Sequence, residues 1–166
     1  MRLFVLLLAG LAASLSQQTF AAEPLSVMLE AHKVILAAGG KERLVTAADA
    51  RPGDVLQYRA TYTNVSKKPL RAVMATLPVP ASGVEYLLDS ATPSGAEASI
   101  NGAQFAPAPL QRQVKLPDGK QEQRPIPAAE YRFLRWPLGD LPAGASKTVS
   151  ARVRIVNEPT LTPPSK

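Results

Sequence analysis

The chain predicts an all-β sandwich of about seven to nine strands, and three features carry that reading. Segments alternating apolar and polar residues recur at period two. Turn signals rich in proline and glycine separate them, with 16 prolines and 10 glycines in 166 residues. No stretch has the 3.6-residue periodicity of a convincing amphipathic helix.

Taken in order, residues 25–36 ("LSVMLEAHKVIL") place Leu25, Val27, Leu29 and Ala31 on one parity. Lys33 interrupts the pattern, which suggests a strand with a bulge or break there. A helix over 27–38 is the alternative, since alanine and leucine favour it. Gly39-Gly40 gives a flexible turn before the short segment "RLVTAAD". Pro52-Gly53-Asp54 is turn chemistry. After it Leu56, Tyr58, Ala60 and Tyr62 share one face, with Gln57, Arg59, Thr61 and Thr63 on the other, as in a half-buried antiparallel strand. Asn64 to Lys68 forms the next turn, where asparagine can bond its own backbone. Leu70 to Leu77 reads as a strand stopped by "PVPAS", because proline cannot donate to a ladder.

Residues 84–90 ("VEYLLDS") read as a further strand. From 91 to 128 periodicity is weak, but "VKLPDGKQEQ" suggests a hairpin turning at Pro117-Asp118-Gly119, Asp-Gly being a favoured turn pair. Two closing strands follow, "EYRFLRWPL" (130–138) and "TVSARVRIV" (148–156), joined by the tight "GDLPAGAS". The second places Val149, Ala151, Val153 and Ile155 inward. The tail 158–166 has too little apolar content to fold and is expected to be disordered.

The N-terminus predicts where the protein goes. Met1-Arg2 is a short positive region, Leu3 to Leu15 is an apolar run broken only by Gly10 and Ser14, and "SQQTFAAEP" follows. Thr19 and Ala21 are the small residues of a cleavage site, so residues 1–22 read as a secretory signal peptide. The run is too short for a spanning helix. Residues 23–157 then form a single domain, exported to the periplasm, cell surface or medium. There is no cysteine, which excludes a lipoprotein anchor, disulfides and thiolate metal sites. The core must hold the fold without covalent staples.

The formal net charge is +6, from 19 basic and 13 acidic residues. Residues 81–109 contain Glu85, Asp89 and Glu97 but no Lys or Arg, and the basic residues lie mostly singly on either side. A basic balance can attract nucleic acid or anionic polymers. The absence of a dense basic run, the few aromatics and the expected export argue against nucleic acid.

Three pieces occur in a recognisable order: "RPGDVLQYRATYTNVSKKPLRAVMATLPVP", "YLLDSATPSG" and "RWPLGDLPAGASKTVSARVRI". Together, over about residues 50–157, they resemble the extracytoplasmic immunoglobulin-like repeat classed as domain of unknown function eleven. Its pattern is a Pro-Gly-Asp lead-in, a strand with tyrosine, a Thr-Asn turn, a strand ending in Leu-Pro, and "L-P-x-G-x-S-x-T" before the last strand. The resemblance implies a surface or periplasmic β-sandwich, often a stalk or tandem element, and supplies no catalytic residue. Two departures stand out: Ala75 lies near the place where many members keep an aspartate, and 91–128 is longer than a minimal repeat.

No candidate chemistry survives comparison with its simpler account. His32 is the sole histidine and shares strand parity with Glu30. Serine–histidine catalysis needs an oriented base, and zinc needs more ligands than one histidine. Asp49, Asp54, Asp118 and Asp140 lie in turns, where aspartate bonds backbone, without the oxygen density of a calcium loop. Glu85, Asp89 and Glu97 lie on or beside a strand rather than across a cleft. Trp136 could line a sugar site but reads as core, and Gly39-Gly40 lacks phosphate-loop spacing. No catalytic residue, metal or cofactor is therefore expected.

The leading reading is a non-catalytic, exported module with a structural or protein-binding role in the cell envelope. The alternative is a subunit or assembly factor that works by β-strand addition through residues 25–36; an envelope hydrolase is a remote third. The expected partner is another envelope or surface protein. Its binding loop is 109–127 ("PLQRQVKLPDGKQEQRPIP"), where Arg112, Lys115, Lys120 and Arg124 should concentrate positive charge facing the acidic segment before them.

Overall fold

The computed structural model describes residues 23–157; the expected leader and tail lie outside them. The chain is all-β, with eleven strands and one 3-10 turn at Ala128–Glu130 among the described residues. Five strands form one antiparallel sheet in the order β2-β1-β3-β11-β5: Glu42–Thr46, Leu25–Leu36, Val55–Asn64, Ser146–Ile155 and Val84–Tyr86. Four form a second, in the order β4-β10-β6-β7: Leu70–Pro78, Phe133–Leu141, Glu97–Ser99 and Ala106–Pro107. The hairpin β8–β9, Gln111–Lys115 with Gln121–Pro125, belongs to neither. The two main sheets are open and sandwich-like.

The core lies where the alternating strands face each other. From the first sheet it takes Leu56, Ala60 and Tyr62 on β3 and Val149, Ala151 and Val153 on β11. The second contributes Ala75 and Leu77 on β4 and Leu134 and Trp136 on β10. Ala75, where the resembling repeat keeps an aspartate nearby, is fully buried opposite Trp136. An ion there would meet a large desolvation cost. Trp136 is itself a core residue, its indole N–H donating to the carbonyl of Pro93 at 2.7 Å.

Asn64 does more than shape a turn. Its side chain is fully buried, and its amide donates to the carbonyls of Lys68 (2.8 Å) and Leu141 (2.9 Å). Its side-chain oxygen accepts from the backbone N–H and hydroxyl of Ser66. The β3–β4 turn is thereby locked to the end of β10, and a buried amide with all these partners stabilises rather than costs.

Four expectations need correction. β1 has no break at Lys33: its register with β3 runs unbroken from Leu25↔Asn64 to Val34↔Val55. Lys33 sits on the apolar parity because it ion-pairs with Asp54 at 2.6 Å. Nor is 27–38 helical, since the segment is paired as strand with β3 as far as Val34 and with β2 from His32 to Leu36. The strand expected over 84–90 ends at Tyr86, where Ser90 folds back, its N–H and hydroxyl both donating to the carbonyl of Leu87. Finally, the strand expected over 130–138 spans Phe133–Leu141 and passes through Pro137. That proline is tolerated because β6 pairs only with Phe133 to Arg135, so no ladder donor is needed beyond them.

Candidate functional site

The hairpin β8–β9 is the feature the two sheets do not require. Its strands pair from Gln111↔Pro125 to Lys115↔Gln121. The turn between them closes with Leu116 N–H on the carbonyl of Lys120, and Gly119 adopts φ +85, where a side chain would be strained. Every residue of β9 is exposed, and in β8 only Val114 is half-buried. The ribbon therefore stands in solvent on both faces, while its base is fastened to the core. Leu110 and Ile126 are buried and joined by an N–H to carbonyl bond of 2.8 Å. The Leu110 N–H also donates to the hydroxyl of the fully buried Tyr131 at 2.7 Å, and that ring stacks on Tyr86. Residues 110 and 126 are thus core, so the dispensable segment is shorter than the expected 109–127.

Beside that base opens a cleft of ≈ 300 Å³, lined among others by Ile100, Phe105, Leu110, Arg112 and Ile126. Its lining is largely apolar, as binding pockets are. Arg135 holds one wall, its guanidinium 4.0 Å from the centre of the Phe105 ring and 2.6 Å from Glu97.

The expected concentration of positive charge is largely cancelled. Arg112 bonds Glu130, Arg124 bonds Glu122 at 2.9 Å, and Lys120 lies 3.4 Å from Asp118. Lys115 alone of the four has no ion-pair partner among the described residues. The acids of 81–109 are not their partners, since Glu97 is taken by Arg135 and Glu85 lies opposite Arg154 on β11. The reason is local. Arg112 and Arg124 sit directly across the ladder from each other, a repulsive arrangement unless nearby carboxylates relieve it, and Glu122 and Glu130 are nearest.

The remaining candidates are dispersed. Glu30 and His32 share the outer face of β1, where His32 stands across from Gln57 and Thr46, and no carboxylate bonds its ring. Asp54 spends its carboxylate on Lys33 and on the Arg51 N–H (2.8 Å); these bonds, that to Lys33 foremost, hold it below the usual aspartate range. Asp118 and Asp140 accept backbone N–H bonds from Lys120 and Ala72. Among the described residues no cluster of three metal-ligating side chains occurs. Outside these candidates, Arg152 reaches over the outer face of the first sheet to bond both oxygens of Glu42 at 2.6 and 3.0 Å, which lowers the Glu42 pKa.

A second feature escaped the sequence reading. The alternation of β1 implies a buried face, yet Val27 and Leu29 on that face are 52% and 50% exposed. They lie beside Tyr62 and Ala60 of β3, but of this β1 face only Leu25 packs against the core. Alternation reports only that one face is apolar, not that anything covers it.

No family model, curated protein or solved structure matches the chain. The likeness to the immunoglobulin-like repeat rests on the quoted motifs, to which the structure adds an all-β architecture of two antiparallel sheets.

Proposed function

We propose that this chain is an exported, non-catalytic immunoglobulin-like module that binds another protein of the cell envelope through the β8–β9 hairpin and the cleft at its base. One observation carries the reading: the hairpin stands outside both sheets with its faces in solvent, yet its base is pinned into the core by Leu110, Ile126 and Tyr131. A rigidly based, solvent-facing ribbon suits recognition, since binding residues concentrate on segments a scaffold positions but does not need. The paired charges shift the expected mode from electrostatic attraction to shape and apolar contact, with Phe105 and Ile100 as anchors and Lys115 as the unpaired cation.

The test replaces 111–125 with a short Gly-Ser linker and keeps Leu110 and Ile126. Melting should stay cooperative while the partner no longer co-purifies from native envelope fractions. Unchanged co-purification would rule the hairpin out. The same preparations test export, because recovery of the full-length chain from the cytoplasm would sink it.

A second reading, β-strand addition, is favoured by one observation: along Leu25–Ala31 of β1 no strand among the described residues covers the side away from β3.

A further inference from the structure

We propose that β1 pairs with the β1 of a second copy of this chain, antiparallel about a twofold axis through Met28, joining two five-stranded sheets into one. The proposal deepens the strand-addition reading by naming the occupant of the edge, and it is independent of the hairpin.

The direction of the backbone groups follows from two bonds. The Pro24 carbonyl accepts from Val65 just past the end of β3, and the Ala37 N–H donates to Lys41 on the β2 side. Backbone groups alternate along a regular strand, so even-numbered positions of β1 face β3 and odd-numbered positions face β2. β2, however, ends at Thr46, opposite His32. The N–H and C=O groups of Leu25, Val27, Leu29 and Ala31 therefore point to an edge that no strand covers among the described residues. No proline, lysine or bulge interrupts Leu25–Ala31, so of the devices that keep an edge from pairing only one charge, Glu30, is present there.

The opening fits a second copy by length and register. It is bounded by Thr46 of β2 at one end and by Leu25, where β1 and its pairing with β3 begin, at the other. Antiparallel pairing that uses all four outward residues has one solution: Leu25 opposite the partner copy's Ala31, and Val27 opposite its Leu29. The second strand then ends where β2 begins, so with the expected leader removed only the few residues before Leu25 must clear Thr46.

The chemistry is self-complementary as well. Residues opposite each other share a face, so the exposed Val27 and Leu29 meet their counterparts as one apolar row. Met28, 56% exposed, meets Met28 on the other face. The single charge in the segment, Glu30, lies opposite Ser26, and the two Glu30 residues are about 14 Å apart along the pair at ~3.4 Å per residue. A chain of formal charge +6 repels its copies elsewhere, but brings no like charges face to face along this edge.

Three forms of the mature protein test it by light scattering on a sizing column and by oxidation. Wild type should elute at twice the chain mass. Val27→Pro removes an N–H that only the edge uses, and should be a folded monomer. Met28→Cys, in a chain without cysteine, should form a disulfide dimer, because non-hydrogen-bonded antiparallel partners have Cα atoms about 4.5 Å apart, within disulfide reach. Leu88→Cys, exposed but off the edge, should not. A dimer that survives Val27→Pro, or Met28→Cys that does not cross-link, overturns the edge or the register. Should Val27→Pro fail to fold, the cross-link decides alone. A monomeric wild type overturns self-pairing. Comparing co-purified envelope proteins with and without Val27→Pro then decides strand addition separately: loss keeps that reading, and no change ends it.

Discussion

Among the described residues each sheet leaves a stretch of a long strand unpaired along one side, Leu25–Ala31 of β1 in the first and β4 in the second, and they treat it in opposite ways. On β4 the Tyr62 hydroxyl reaches across from β3, donates to the Thr76 carbonyl at 2.7 Å and accepts the Thr76 N–H at 2.9 Å. The strand is also bent by Ala72 at φ 50, whose N–H turns to Asp140, and it ends in Pro78. Such bends and prolines make a poor template for another strand. On β1 nothing comparable stands between Leu25 and Ala31 among the described residues. The difference lies in position. β3 faces the second sheet closely enough for its tyrosine to bridge the two, whereas on β1 only Leu25 packs against the core.

The largest effect that would test this contrast comes from Tyr62. Tyr62→Ala removes an aromatic that is 5% exposed, and such truncations cost about 3–5 kcal/mol. Leu29→Ala, on the same sheet face but 50% exposed, should change the stability of the monomer by under about 0.5 kcal/mol. Urea titration of both variants checks this, and comparable losses would mean that the second sheet covers β1 after all.

A smaller change sharpens the comparison. Tyr62→Phe keeps the ring in the core and deletes only the bridge to Thr76, so it should cost about 1 kcal/mol, the net worth of an ordinary hydrogen bond. It should also free the Thr76 backbone groups on the β4 edge and raise the tendency to associate. Light scattering over a concentration series reads this, and a variant no more associated than wild type would show that the bend at Ala72 guards β4 by itself.

These contrasts mark what the sequence makes legible. Where a strand is covered on one face, period two names most of its inward residues: Leu56, Ala60 and Tyr62 on β3, and Val149, Ala151 and Val153 on β11, are buried, while Tyr58 and Ile155 on the same faces are half-buried. β1 carries a similar pattern without the cover, and whether a second sheet lies above a strand is a matter of topology, which spacing does not encode. β6 and β7 have three and two residues, too few to show any period. The Asn64 clamp joins positions 77 residues apart, so only its turn-forming half can be read locally. At the hairpin the turn was legible from Asp118-Gly119. Neutralisation of its cations was not, because that depends on which carboxylates come within reach once the ladder forms.

The smallest expected effect concerns how the overhanging β1–β2 pair is held. Two ion pairs tie it to the rest of the sheet: Lys33 of β1 with Asp54 at 2.6 Å, and Glu42 of β2 with Arg152 of β11 at 2.6 Å. The bond from Arg152 lowers the Glu42 pKa, and bonds from Lys33 and the Arg51 N–H lower that of Asp54. A carboxyl with a depressed folded pKa adds stability that is fully present above its unfolded pKa, roughly 4 for these residues, and is lost as pH falls through the folded value. Acidification below about pH 4 should therefore loosen β1–β2 before the core, and exchange of β2 amides should quicken more than that of β11 amides. Both pairs meet solvent, so the effect on global stability should be modest. Arg152→Gln should return the Glu42 carboxyl toward its ordinary range in an NMR titration. An unchanged Glu42 titration in that variant would show that the pair does not hold in solution. β2 amides as slow to exchange in acid as at neutral pH would show that the pairing between strands, rather than the charges, holds the overhang in place.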